Sequence, residues 1–268
     1  MPDSFYEADG DRYIATELTR GPWDPKAQHA GPPAALIARE VERLAGGRIG
    51  GEGGGPAQVG RITYELLRSV PIGPVRIDAE IVRPGRSVEM FEATLSADDG
   101  TPLMRARGWR LRTDEIAFET PQGFPDPPGT PQQAVPREFF DTGHEVGYHS
   151  GMEYRFSKGG FLEPGPATVW LRMAAPLVAE EEPSALQRVT IAADTGNGIS
   201  AALDWSKYLF INVDLTVHLH RMPQGEWVCL DAVTLPQPNG IGIADSGLFD
   251  EVGAIGRAAQ TLLIAQRQ

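Results

Sequence analysis

The sequence predicts an α+β protein made of two halves, each an antiparallel β-sheet wrapped around one long helix. Three observations predict it. Most of the chain reads as short runs rich in valine, isoleucine and aromatic residues, separated by turn residues. Each half holds one segment with the period and composition of a helix. The order strands, helix, strands occurs twice, on either side of a proline-rich segment. A sheet with one apolar face and an amphipathic helix each have a surface to bury, and they bury it on each other.

In the first half, residues 1–118, "FYEAD" and "RYIATEL" read as strands. "PPAALIAREVERLA" (32–45) reads as the helix, with prolines in its first turn, where a missing N–H costs nothing. "GGRIGGEGGG" (46–55), with seven glycines in ten residues, reads as a loop. Four strands follow, "RITYELLRSV", "VRIDAEIVR", "SVEMFEATLSA" and "TPLMRARGWRLR", with "ADDG" (97–100) as the turn between the last two. A linker, 119–136, carries "TPQGFPDPPGTPQQAVP", whose six prolines in seventeen residues favour an extended surface path. In the second half, 137–268, "MEYRFS" and "ATVWLRMA" read as strands and a segment within 183–203 as the second helix. "YLFINVDLTVHLHR" contains ten residues of apolar–polar alternation (211–220), as a half-buried strand requires. "EWVCLDAVTL" is another strand, and a glycine-rich connection leads to "GAIGRAAQTLLIAQ", a last strand whose composition also suits a helix.

A net charge of −12 argues against general nucleic-acid binding, which wants a basic footprint. No apolar run approaches the length of a membrane span, and "MPDSFYEADGDRY" lacks the basic and apolar regions of a secretory signal. Cys229 is the only cysteine, so the chain has no internal disulfide and a cytoplasmic setting is expected. It sits in an apolar strand and reads as a small buried thiol rather than a nucleophile.

One carboxylate stands out. In "VTIAADTGNGISAAL" (189–203), Asp194 lies inside a small, apolar run and is followed at once by glycines and an asparagine. Such a group loses hydration unless something pairs with it or uses it. It reads either as a helix N-cap, with Asn197 able to fill the same role, or as a catalytic group. "GNGISA" fits a dinucleotide fingerprint with Asp214 downstream, but no strand–helix alternation follows. "GISAA" lacks the last glycine of a serine nucleophile elbow and lies in a helical stretch, so Ser200 is not read as one. His218 and His220 share a strand face without a third ligand at a suitable spacing, and no metal site is expected.

The two halves together resemble the double hotdog acyl-CoA thioesterases of the thioesterase II type. "HAGPPAALIAREVER" is similar to the family's first helix with its glycine-rich entrance, and "AADTGNGISAAL" to the second. The resemblance puts the catalytic aspartate on Asp194 and the catalytic glutamine of the last strand on Gln260. "INVDLTVHLHR" is similar to the strand that carries a hydroxyl residue two places before an aspartate and ends in His-Arg. Asp214, His220 and Arg221 fit that frame, but Asn212 fills the hydroxyl position. The glycine-rich entrances imply His29, Gly31, Gly196 and Gly198 as substrate-binding residues.

The implied chemistry is hydrolysis of an acyl-CoA by a water held by Asp194, Asn212 and Gln260, without metal or other cofactor. Asp194 accepts the water's proton, and backbone N–H groups beside Gly196 and Gly198 stabilise the oxyanion. One or two arginines of the first-half strands, otherwise a solvated face, meet the carrier's phosphates. Two alternatives stand beside this. Asp24 and His29, five positions apart, match the spacing of the acid–base pair of R-specific enoyl-CoA hydratases, although "PKAQ" between them departs from that motif. Asn212 also fits a hotdog that binds acyl thioesters or lipids without turnover. Exposed sheet edges predict a homo-oligomer.

Overall fold

The computed structural model describes residues 2–44, 56–119 and 125–267; the glycine-rich run 46–55 and the start of the proline-rich segment lie outside them. The first half contributes β1 (Tyr6–Asp9), β2 (Arg12–Ala15), α1 (Gly31–Glu42), β3 (Ala57–Leu66), β4 (Pro74–Arg83), β5 (Val88–Ala97) and β6 (Pro102–Arg112). The second contributes β7 (Val135–Pro136), α2 (Tyr148–Gly151), β8 (Met152–Gly160), β9 (Glu163–Met173), α3 (Ala185–Ala193) and α4 (Gly196–Ile199). It closes with β10 (Tyr208–Asn212), β11 (Asp214–Leu219), β12 (Val228–Pro236), β13 (Ile241–Phe249) and β14 (Ala254–Gln266).

The expectation of two separate sheets is corrected. The strands form one antiparallel sheet in the order β1-β2-β4-β5-β6-β3-β11-β14-β13-β12-β9-β8-β7, with β10 also paired to β14. The seam is β3 against β11, from Asp214 opposite Glu65 to His218 opposite Arg61. Each half on its own would leave an edge of unpaired N–H and C=O groups there, and joining the edges satisfies both.

Alternation in the sequence becomes burial. Along β11, Leu215, Val217 and Leu219 point inward while His218 is exposed. α1 packs against β4 and β5, α3 against β9, β11 and β12, and the two helices pack on each other. Their approach is close: a Cβ on Gly31 would lie 2.6 Å from the carbonyl oxygen of Ile191. Leu36, Ile37 and Val41 of α1 join Leu186, Val189 and Ile191 of α3 in one core.

The second helix is not the long element expected. Ser184 caps its start by accepting from the Gln187 amide at 3.1 Å, but α3 stops at Ala193 after nine residues and only the short α4 resumes. Gly196 and Gly198 are poor helix formers, and the Asp194 side chain is drawn to neighbouring strands rather than along the helix.

β13 was hidden in the glycine-rich connection. Its inward positions Gly242, Ala244 and Ser246 are small, which removes the β-branched signal but leaves room for α4 to settle. A Cβ on Gly196 would lie 2.6 Å from Ser246 Oγ. The turn from β13 to β14 is held by Asp250, which is fully buried. It accepts from both Nη atoms of Arg221 and from the amides of Gln224, Val252 and Gly253. Burial pushes its carboxyl up, but Arg221 and these amides pull harder and hold it at about 2. Among the described residues, no helix is long and apolar enough to cross a membrane.

Candidate active site

Asp194 follows the last residue of α3 with helical backbone angles, as its C-cap. The N-cap reading is therefore overturned, and side chains rather than helix amides hold its carboxylate. Asn212 Nδ2 donates to Oδ1 at 2.8 Å, and Gln260 Nε2 donates to the same oxygen at 3.0 Å and to the Asp194 carbonyl at 3.2 Å. The sheet register arranges this. Asn212 on β10 stands opposite Leu262 on β14, so Gln260, two residues earlier on β14, shares its face.

The helix amide is capped from across the sheet instead: the Asn197 N–H donates to Gln260 Oε1 at 3.0 Å. That bond occupies an amide near the expected oxyanion position. Gln260 is buried, and its amide is spent on Asp194 and Asn197.

The other carboxylate oxygen faces the first half. His29 Nδ1 lies 3.0 Å from Asp194 Oδ2, and the Gly31 N–H is aimed at the same nitrogen at 3.1 Å. The ring lies flat on Tyr148, with centroids 3.9 Å apart and planes 9° apart. Tyr148 is fixed in turn by donating its hydroxyl to the Ile191 carbonyl at 2.8 Å and by a 2.9 Å contact with Thr195 Oγ1. Burial raises the Tyr148 hydroxyl well above its ordinary range, so it stays a neutral donor.

These groups border a cavity of about 530 Å³ that draws on both halves. His29, Asp194, Asn197 and Asn212 gather polar groups at one place on its wall, with Asp24, Arg68 and Arg267 elsewhere on it, and residues such as Leu66, Val70, Met104, Phe140 and Phe161 are apolar. Asn197 Oδ1 is buried there without a hydrogen-bond partner among the described residues.

The other expected residues are placed as follows. Gly31 and Gly196 are buried packing glycines outside the cavity lining, whereas Gly198 lines it with open space at its Cβ position. Asp24 lines the cavity but accepts from the Lys26 amide at 2.9 Å; the carboxylate beside His29 is Asp194 instead. Asp214 accepts from the Thr261 amide, and Arg221 serves Asp250. Cys229 is buried in a separate cluster with Trp170, Trp227 and Phe249, and burial pushes its thiol up, away from reactivity. Among the described residues, no three His, Cys, Asp or Glu stand together as a metal site. Sequence reasoning missed Tyr148 entirely, since a lone tyrosine in "EVGYHSG" carries no signal.

Two family models match the chain. Residues 19–111 match an acyl-CoA thioesterase N-terminal domain, and residues 119–264 match an acyl-CoA thioesterase C-terminal domain. A search of curated proteins returned no match. Among solved structures, a conserved protein of unknown function with hot dog fold from Alicyclobacillus acidocaldarius superposes with a TM-score of 0.72 at 15% identity, covering 98% of this chain and 96% of its own. An acyl-CoA thioesterase II, TesB2, from Mycobacterium marinum gives a TM-score of 0.64 at 15% identity, covering 97% and 95%. A tesB protein from Mycobacterium avium subspecies paratuberculosis gives 0.64 at 15% identity, covering 97% and 96%. At these identities the likeness is one of fold.

Proposed function

The chain is a thioester hydrolase of the acyl-CoA thioesterase family, and from that premise we propose that Asp194 directs a water onto the carbonyl of an acyl-CoA bound in the cavity. One observation carries the assignment: a nearly buried carboxylate at the edge of an apolar cavity, held by neutral donors on one oxygen only. A carboxylate offers about four acceptor sites. Asn212 and Gln260 fill two on Oδ1 and His29 faces one on Oδ2, which leaves one on Oδ2 for a water hydrogen.

In this reading Asp194 is the catalytic residue and Gln260 a positioning residue that fixes it to β14. Asn212 supplies through its amide the donor that a hydroxyl supplies elsewhere in the family resemblance, and its remaining amide atoms are at the cavity to hold the water. General-base assistance of this kind is worth roughly 10²–10⁴-fold. Gly198 permits close approach of the thioester. Of the first-half arginines expected to meet the carrier's phosphates, Arg68 lines the cavity, which supports it for that role. The route calls for no metal or redox cofactor.

A division into halves at 1–118 and 137–268 with a linker at 119–136 is supported by one matched segment ending at 111 and the next starting at 119. A homo-oligomer is supported by the exposed row Ile211, Leu263 and Ile241, adjacent across β10, β14 and β13. Light scattering above 29.0 kDa at micromolar concentration tests it. The single buried cysteine suits the cytoplasm.

Thiol release from a panel of acyl-CoAs tests the activity. Release establishes turnover, binding without release makes the chain an acyl-thioester binder, and loss of enoyl absorbance without thiol release makes it a hydratase.

A further inference from the structure

We infer that His29 is a second catalytic residue, the acceptor onto which Asp194 passes the proton it takes from water. The inference rests on the thioesterase reading above and assigns the base to a pair rather than to one carboxylate. The Gly31 N–H points at Nδ1, which makes Nδ1 the bare, accepting nitrogen and leaves the ring proton on Nε2. Asp194 Oδ2 then meets a lone pair at 3.0 Å, and two facing lone pairs repel unless a proton lies between them. A proton arriving on Oδ2 has that acceptor waiting. Asn212 and Gln260, both on Oδ1, leave Oδ2 as the oxygen that exchanges protons.

The pair is held as a working geometry requires. Tyr148 stacks on the ring at 3.9 Å and is itself bonded to the end of α3, the helix that carries Asp194. The His29 backbone N–H donates to the Thr19 carbonyl at 2.7 Å, so both ends of the residue are fixed.

The atoms balance. The water oxygen forms a bond to the thioester carbon while one of its O–H bonds breaks, and that proton passes through Oδ2 to Nδ1, whose single lone pair gives up the Gly31 N–H as it takes the proton and regains it when the proton returns. The tetrahedral intermediate then collapses with its C–S bond breaking, the electron pair leaves on sulfur, and the stored proton returns through Oδ2 to give the thiol. The acid product loses its own proton to solvent.

The test uses the full chain and an acyl-CoA that the wild type hydrolyses. In His29→Asn the new Oδ1 replaces Nδ1 as acceptor of the Gly31 N–H, keeping the turn while removing the proton store. Thiol release should fall about 10- to 100-fold in kcat, with KM little changed. His29→Ala with added imidazole is the second readout: imidazole should restore turnover there and not in Asp194→Asn. The inference is overturned by a wild-type kcat in His29→Asn, or by a lowered kcat there with no imidazole rescue of His29→Ala. A wild type that releases no thiol from any acyl-CoA overturns the thioesterase reading itself, and this inference with it.

Discussion

Gln260 Nε2 donates to Asp194 Oδ1 at 3.0 Å while Gln260 Oε1 accepts from the Asn197 amide at 3.0 Å. One buried side chain on β14 thus ties the end of α3 to the start of α4 and aims the carboxylate between them. Gln260→Ala should cost about 1–3 kcal/mol of stability, because it strands buried partners. It should lower thioester hydrolysis less than loss of Asp194 does, since the base remains. Urea unfolding and thiol release on the same preparation check both.

Asn212 tests what the departure from a hydroxyl means. If its amide serves as a donor to Asp194, Asn212→Thr should retain activity to within about 10-fold, while Asn212→Leu should lose about 100-fold. Equal activity in both variants would remove Asn212 from the site.

The alternation of β11, the proline-led start of α1 and the isolation of Asp194 in apolar surroundings were all legible in the sequence, because each is a local pattern. What was not legible is non-local. β13 carries small inward residues chosen for the approach of α4, so its strand character shows only in its pairing with β12 and β14. The joining of the two half-sheets at β3 and β11 depends on edges that no single segment reveals. The partnership of Asp194 with His29 links residues from different halves of the chain, and Tyr148 comes from a third segment. The shape of a carboxylate's surroundings is decided by the fold, not by its neighbours in sequence.

The glycines separate packing from access. Gly31→Ala should cost about 1–3 kcal/mol, because its Cβ meets the backbone oxygen of Ile191, which cannot swing aside. Gly198→Ala, with nothing within 4 Å, should change stability by no more than about 0.5 kcal/mol. A selective effect of Gly198→Ala on KM would mark it as part of the substrate path. Thermal melts beside kinetics distinguish the two.

Asp250 gives the acid limit of the fold. Its folded value of about 2 lies below the ordinary 3.8, so its stabilisation is present above about pH 4 and is lost as pH falls through about 2. The difference is worth about 2 kcal/mol. Asp250→Asn should lower stability by about 3 kcal/mol at neutral pH, because Arg221 loses its bidentate partner, and should flatten this acid dependence. Urea unfolding at pH 7 and pH 3 measures both.

The most direct measurement is thiol release by Asp194→Asn. Asparagine fits the site: its Oδ1 keeps the bonds from Asn212 and Gln260, and its Nδ2 donates to the bare Nδ1 of His29. The variant should melt close to the wild type and hydrolyse acyl-CoA at least about 10²-fold more slowly. Wild-type turnover in a folded Asp194→Asn protein would contradict the account and leave Asp194 as a structural joint between α3 and the sheet.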